Sequence, residues 1–301
     1  FWAGVVPALV LLVGMCFVPE TPRWLLSKGR LKECRKVLQK IEPENTVNDL
    51  IGQMEVEIEK DRNSAVGWRY LMQPWLRTPL MIAVCIMFFQ QFVGINTVIY
   101  YSPKIFLMAG FESTLSAIWA SVGIGIVNVV FTVISLYLVD RIGRRKLYFI
   151  GLSGIAFSVL CLSACFIYAN QLGEIGRWLM VIFMFGYVAF FAISIGPLGW
   201  LVISEIFPQK VRGLGTSIGS LAVWIFNCIV SFTFFKIIDF FSIPGTEIVV
   251  GQTTSENPAG AFFLYGFIAV LGLVWGYLFL PETKGLSLEE IEQKWRKNRE
   301  C

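Results

Sequence analysis

Three carboxamides and a glycine stand together inside a long apolar run. Gln90, Gln91, Gly94 and Asn96 fall within Leu80–Ser102, and Tyr100 and Tyr101 follow one turn later. In a bilayer such amides cost free energy unless they find partners or face a wet cavity. A carboxamide donates and accepts at once, as a hydroxyl does. The group therefore suits a neutral, polyhydroxylated ligand such as a sugar better than an ion. Gln90 and Asn96 are six residues apart, so an unbroken helix would turn them to different faces. A helix loosened at Gly94 would let both point at one cavity.

Further residues fit the same chemistry. Asn128 is the one amide in the apolar run Thr114–Val139. It serves either as a ligand contact or as glue between helices. Ser194-Ile195-Gly196-Pro197-Leu198-Gly199-Trp200 interrupts another run, because proline and the glycines weaken a helix. Trp200 then sits at mid-membrane, where an indole can stack on the apolar face of a sugar ring. Val223, Trp224 and Asn227 lie within one turn and either complete the cavity or, for Asn227, bond within the bundle. Tyr100 and Tyr101 read as interface aromatics or as gate residues.

The charged residues suggest a latch. Asp140-Arg141-Ile142-Gly143-Arg144-Arg145-Lys146 is a tight turn with three arginines, more than topology alone demands. Guanidinium groups fork onto carboxylates, and Asp140 and Glu205 lie at the same expected membrane level as Arg144 and Arg145.

Other chemistries are poorly provided for. The chain has no histidine, so no imidazole relay, and its seven cysteines show no metal-ligand spacing. No nucleophile–base pair or phosphate loop appears within the apolar runs, which argues against an enzyme. A nucleic-acid partner would need a clustered basic face on a soluble fold. No cofactor is expected beyond a possible coupling proton.

The elements that must hold these residues are membrane spans. The chain is 56% hydrophobic and 15% charged, far from a soluble domain. A span needs about 20 apolar residues. Seven candidates follow: Phe1–Val18, Leu80–Ser102, Thr114–Val139, Leu147–Ala169, Trp178–Phe207, Leu214–Phe240 and Ala259–Leu280. Of the 25 Lys and Arg, 22 fall in residues 19–79, 140–146, 208–213 and the tail from Pro281. The positive-inside rule puts that set in the cytoplasm, and the lipid bilayer is the expected surrounding.

Four segments are expected. Residues 1–18 are a span, and 19–79 form a cytoplasmic linker of short amphipathic helices. Residues 80–280 make six spans, and 281–301 form a tail helix capped by Ser287 and Glu290. Thr21 ahead of Pro22 is the expected cap of the first linker helix. The economical expectation is the C-terminal part of a larger membrane protein.

Five motifs in register resemble the sugar porter family of the major facilitator superfamily. They are Pro19–Arg23; Gln90-Gln91 with Gly94-Ile95-Asn96; Asp140-Arg141 with Gly143-Arg144-Arg145; Gly196-Pro197 with Trp200, Glu205 and Arg212; and Pro281–Gly285. The resemblance covers essentially the whole chain. It implies an all-α transmembrane fold of twelve spans in two halves. This chain would hold the sixth span, the linker helices and the second six-helix half, with a missing N-terminal six-span half as partner. It implies a small neutral sugar bound by Gln90, Gln91, Asn96, Asn128 and Trp200, with Gly196, Trp224 and Asn227 lining the same cavity. Tyr100 and Tyr101 would form an external gate, and Asp140, Arg144, Arg145, Glu205 and Arg212 a cytoplasmic ion-pair latch. Ala192 stands where animal glucose facilitators have a glutamate, which resembles bacterial sugar–proton symporters. Val223 stands where relatives carry a further amide. The implied activity is alternating-access transport of a hexose or pentose in the cell membrane, by proton symport. A passive facilitator and a non-transporting sugar sensor are the alternatives.

Overall fold

The computed structural model describes residues 2–63, 68–111, 113–208, 211–242, 248–250, 253–285, 290 and 295. The tail helix expected from Ser287 lies outside them. The chain divides into two compact units, Phe1–Val66 and Gly67–Cys301.

The first unit holds α1 (Trp2–Phe17), α2 (Pro22–Ser27), α3 (Leu31–Leu38) and α4 (Glu44–Asn63). The Thr21 hydroxyl accepts the Trp24 amide at 3.4 Å and Pro22 takes the first helical position. Proline costs nothing there, because that amide would lack a helical partner anyway. Apolar residues at helical spacing build a small core of Leu25, Cys34, Leu38, Val47 and Ile51. Burial raises the Cys34 thiol pKa. Outside that core the Arg30 guanidinium grips Glu33 at 2.6 and 2.8 Å. That bond holds the Glu33 carboxyl below its ordinary range.

The second unit holds α5 (Trp68–Leu71), α6 (Arg77–Phe92), α7 (Ile95–Met108), α8 (Thr114–Ile142), α9 (Arg144–Ile167), α10 (Ala169–Ile193), α11 (Ile195–Ile206), α12 (Arg212–Phe240) and α13 (Ala259–Phe279). A short antiparallel hairpin, β1 (Ile248–Val250) with β2 (Thr253–Ser255), pairs Val249 with Thr254 before α13. Among the described residues six segments are long and apolar enough to cross a membrane: α6 with α7, α8, α9, α10 with α11, α12 and α13. The seventh expected span corresponds to α1, an apolar helix of 16 residues.

The core of this unit centres on α9, which packs against α13 and α10. Tyr148, Phe166, Tyr187, Phe234, Phe262 and Tyr265 are fully buried. Small residues permit the close approach usual between helices in lipid. Gly151 sits against Ser194, Gly154 against Phe190 and Gly276 against Tyr148. Much of α8 is left accessible instead, including Ile118, Trp119, Ile126, Val129, Val133 and Leu136.

Two of the six membrane segments are broken in mid-course. The first break lies at Val93–Gly94, between α6 and α7. The second lies at Ser194, between α10 and α11, where φ is −128° and ψ is −102°. Pro197 is the third residue of α11. It lies in the first turn, whose amides have no helical acceptors, so it starts α11 without kinking it.

Candidate functional site

The first break turns on Gly94, whose φ of 86° is left-handed. A Cβ there would also stand 2.2 Å from the Tyr265 ring. No other residue combines that backbone with that space. The break brings Gln91 and Asn96 together: the Asn96 side-chain amide donates to Gln91 Oε1 at 2.6 Å. Gln91 Nε2 in turn donates to Gln90 Oε1 at 3.2 Å. Gln90 Nε2 donates to the carbonyls of Ile195 (3.1 Å) and Gly196 (2.7 Å). Three amides thus form a ladder that runs from one broken helix to the other.

A cavity of about 350 Å³ opens beside that ladder, within the usual range of small-molecule clefts. Gln90, Gln91, Asn96 and Asn128 supply its polar wall, with Thr132. Ile95, Phe191, Ala192, Gly196, Pro197, Trp200 and Val223 supply the apolar wall. Six of the eight residues expected at a ligand site therefore meet around one hollow. Gln90 and Gln91 are buried and mutually bonded, whereas the Trp200 indole is 46% exposed. The arrangement can present donors and acceptors to hydroxyl groups on one side and a flat π-face on another. Ala192 and Val223, the two departures noted in the sequence, both lie in the apolar wall.

The other two expected residues lie elsewhere. Trp224 is 67% exposed and does not line the cavity. Asn227 is buried and bonds within the bundle: its Nδ2 donates to the Tyr100 hydroxyl at 3.3 Å, and its Oδ1 accepts Ser231 Oγ at 3.0 Å. The Tyr101 hydroxyl donates to the Ser231 carbonyl at 3.4 Å, and its ring stacks on Phe234 at 5.5 Å. Both tyrosines therefore tie the half-helix α7 to α12.

At the other end, Arg144 Nη2 meets Glu205 at 2.8 Å, with both side chains largely buried. Asp140 lies 3.4 Å from Arg144 but is 75% exposed, so it contributes little. Among the described residues the Arg145 side chain joins no carboxylate. It donates to the Tyr277 carbonyl at 2.8 Å, and its guanidinium lies over the Phe149 and Tyr277 rings. Arg212 keeps Nε and Nη2 buried without a hydrogen-bond partner among the described residues. The sequence reading missed two members of this cluster. The Glu282 carboxylate accepts the backbone amides of Arg144 and Arg145 at 3.0 and 3.1 Å. The Thr283 hydroxyl donates to Glu205 at 2.5 Å.

Comparison with known proteins identifies this architecture. A family model described as "Sugar (and other) transporter" matches residues 1–295. The chain belongs to that family. It is 36% identical to the glucose transporter GlcP of Staphylococcus epidermidis, over 97% of this chain and 61% of the relative. It is 34% identical to the D-xylose-proton symporter of Escherichia coli K12, over 98% of this chain and 56% of the relative. Among solved structures it is similar to the major facilitator superfamily proton:xylose symporter XylE bound to 6-bromo-6-deoxy-D-glucose. The TM-score is 0.72 at 33% identity, covering 97% of this chain and 58% of that one. The inward-open xylose transporter XylE from E. coli matches with a TM-score of 0.70 at 30% identity, covering 96% of this chain and 55% of that one. The fold is therefore the all-α major facilitator fold, and the chain spans little more than half the length of these relatives.

Within this family member three further hydroxyls stand at the α6–α7 break. Tyr187 donates to the Val93 carbonyl at 2.8 Å. Thr97 donates to the Gly94 carbonyl at 2.7 Å and lies 3.3 Å from the Tyr265 hydroxyl. The signal was available in the sequence: a tyrosine deep in an apolar run must find a partner for its hydroxyl.

Proposed function

We propose that the complete protein carries a monosaccharide, a hexose or pentose, across the cell membrane by alternating access, in symport with a proton. The observation that carries this reading is the amide-lined cavity at the meeting of two broken helices. A hydroxyl-rich neutral guest satisfies Gln91, Asn96 and Asn128 without bringing a charge into the bilayer. The Trp200 indole supplies the stacking face. Sites at helix breaks near the membrane midplane are the usual arrangement in secondary carriers.

The kinship with the D-xylose-proton symporter and with a proton:xylose symporter bound to a glucose analogue supports sugar as cargo and the proton as co-substrate. Ala192 in the apolar wall, in place of an acid, favours the same assignment. The other six-span half, matching the remaining length of the relatives, supplies the opposite wall and the group that takes the proton. Tyr100 and Tyr101 on α7 act at the outer gate, and Arg144 with Glu205 holds the cytoplasmic end closed in one state. Residues 19–79 and the basic turns face the cytoplasm, with residues 80–280 as the transport half. Occupancy shifts the balance of states only through differential affinity.

The test is uptake of labelled glucose, xylose, galactose and inositol by sealed vesicles containing the full-length protein. Uptake that rises with an inward pH gradient supports symport. Equal uptake with and without the gradient assigns facilitated diffusion, and no uptake of any sugar overturns the reading.

A further inference from the structure

Each broken helix sends a side chain to the other's break. Gln90, one turn before the α6–α7 break, donates to the carbonyls of Ile195 and Gly196 just beyond the α10–α11 break. Tyr187, from the unbroken part of α10, donates to the Val93 carbonyl at the α6–α7 break. Tyr187 and Val93 are both fully buried, and Gln90 nearly so. The Val93 carbonyl lies past the end of α6 and in a bilayer has no water to meet it, so the Tyr187 hydroxyl holds that break in its bent form, while Gln90 ties α6 to the first turn of α11 directly beyond the other break. Gly199 is what lets Gln90 through: a Cβ there would stand 2.9 Å from the Gln90 amide nitrogen. Tyr187 does not itself line the cavity.

We propose that Tyr187 is a positioning residue for the sugar site: with Gln90 it forms a two-way brace that makes the two helix breaks bend together. The half-helix α7 carries Asn96 and the outer tyrosines. The half-helix α11 carries Trp200 and Glu205 of the cytoplasmic latch. A rigid link between the breaks keeps Asn96 and Trp200 facing one guest. It also transmits closure at one end of the protein to the other. This rests on the sugar-carrier reading above.

The test uses the full-length protein in lipid nanodiscs and vesicles, with D-xylose and D-glucose as probes. Hydrogen exchange is followed at the amides of residues 95–100, 196 and 198–201 as sugar is added. In the unmodified protein both stretches gain protection with a single sugar midpoint. Tyr187→Phe removes only the hydroxyl. It raises the KM for uptake about three- to tenfold, the worth of one buried hydrogen bond, and separates the two midpoints by at least that factor. Simple loosening of the bundle would move both midpoints together. Thr97→Val, which removes a different hydroxyl at the same break, keeps the midpoints shared. A shared midpoint and unchanged KM in Tyr187→Phe overturn the brace, and so does splitting that is equal in both variants. If Tyr187→Phe does not accumulate, two distinct midpoints in the unmodified protein overturn it, and a shared one supports it. Unmodified full-length protein that takes up neither sugar overturns the carrier reading itself, whereas intact uptake by the unmodified protein together with unsplit midpoints in Tyr187→Phe overturns the brace alone.

Discussion

At the scale of the residue, the amides divide by what their protons already do. Gln90 spends both donor contacts on backbone carbonyls of α11, whereas Asn96 makes one bond, to Gln91, and faces the cavity. The two should therefore fail differently. Asn96→Ala in the full-length protein weakens sugar binding about tenfold, the loss of one or two ligand hydrogen bonds, and lowers the thermal midpoint less than Gln90→Ala does, because Gln91 Oε1 loses its donor at the cavity, where water can replace it. Gln90→Ala weakens binding and also lowers the midpoint, because buried carbonyls lose a donor. Calorimetric titration beside a thermal melt separates the two; equal melting of both variants would assign them the same role. The sequence made this group legible because an amide in an apolar run is expensive and so conspicuous. Which protons were free was not legible, because it depends on a contact 105 positions away. Asn227 illustrates the same limit: its type suits a ligand contact, but the Tyr100 hydroxyl stands nearer to hand.

At the scale of the element, the helix breaks and helix ends set the geometry. The α6–α7 break was readable from glycine between amides. The α10–α11 break falls at Ser194, three residues before the proline that signals it, because proline is at home in a first helical turn. The start of α9 depends on a partner from the far end of the chain. Glu282 accepts the amides of Arg144 and Arg145 and places a negative charge at the helix N-terminus. Read locally, Pro281-Glu282-Thr283 marked only the end of a span, since the distance in sequence to α9 hides the contact. Glu282→Ala costs about 0.5–2 kcal/mol. In a unit of this size that lowers the melting midpoint by roughly 2–4 °C per kcal/mol. Glu282→Gln keeps an acceptor without the charge and loses less. Equal melting of both variants would show that charge, and not the acceptor, makes the contact.

At the scale of the whole molecule, the membrane class and the six long apolar segments of the second unit followed from hydropathy, a long-range average that survives local surprises. What the average could not give is which helix faces meet a partner. The described cavity takes its polar groups from α6, α7 and α8 and most of its apolar ones from α10, α11 and α12. Trp200 in its wall and Trp224 on α12 remain strongly exposed, as does most of α8. More than a third of the length of each of these relatives lies outside the match. A sugar resting on this wall alone would keep part of its hydration shell, and only the surplus over ordering costs appears as affinity. Alternating access also needs a second body for these helices to rock against. The 301 residues expressed by themselves in a membrane should therefore give no sugar uptake above that of empty vesicles, while the full-length protein under the same conditions gives saturable uptake. Saturable uptake by the 301 residues alone would mean that they form a complete carrier by themselves or by pairing with a second copy, and the two-body account of transport would have to be abandoned.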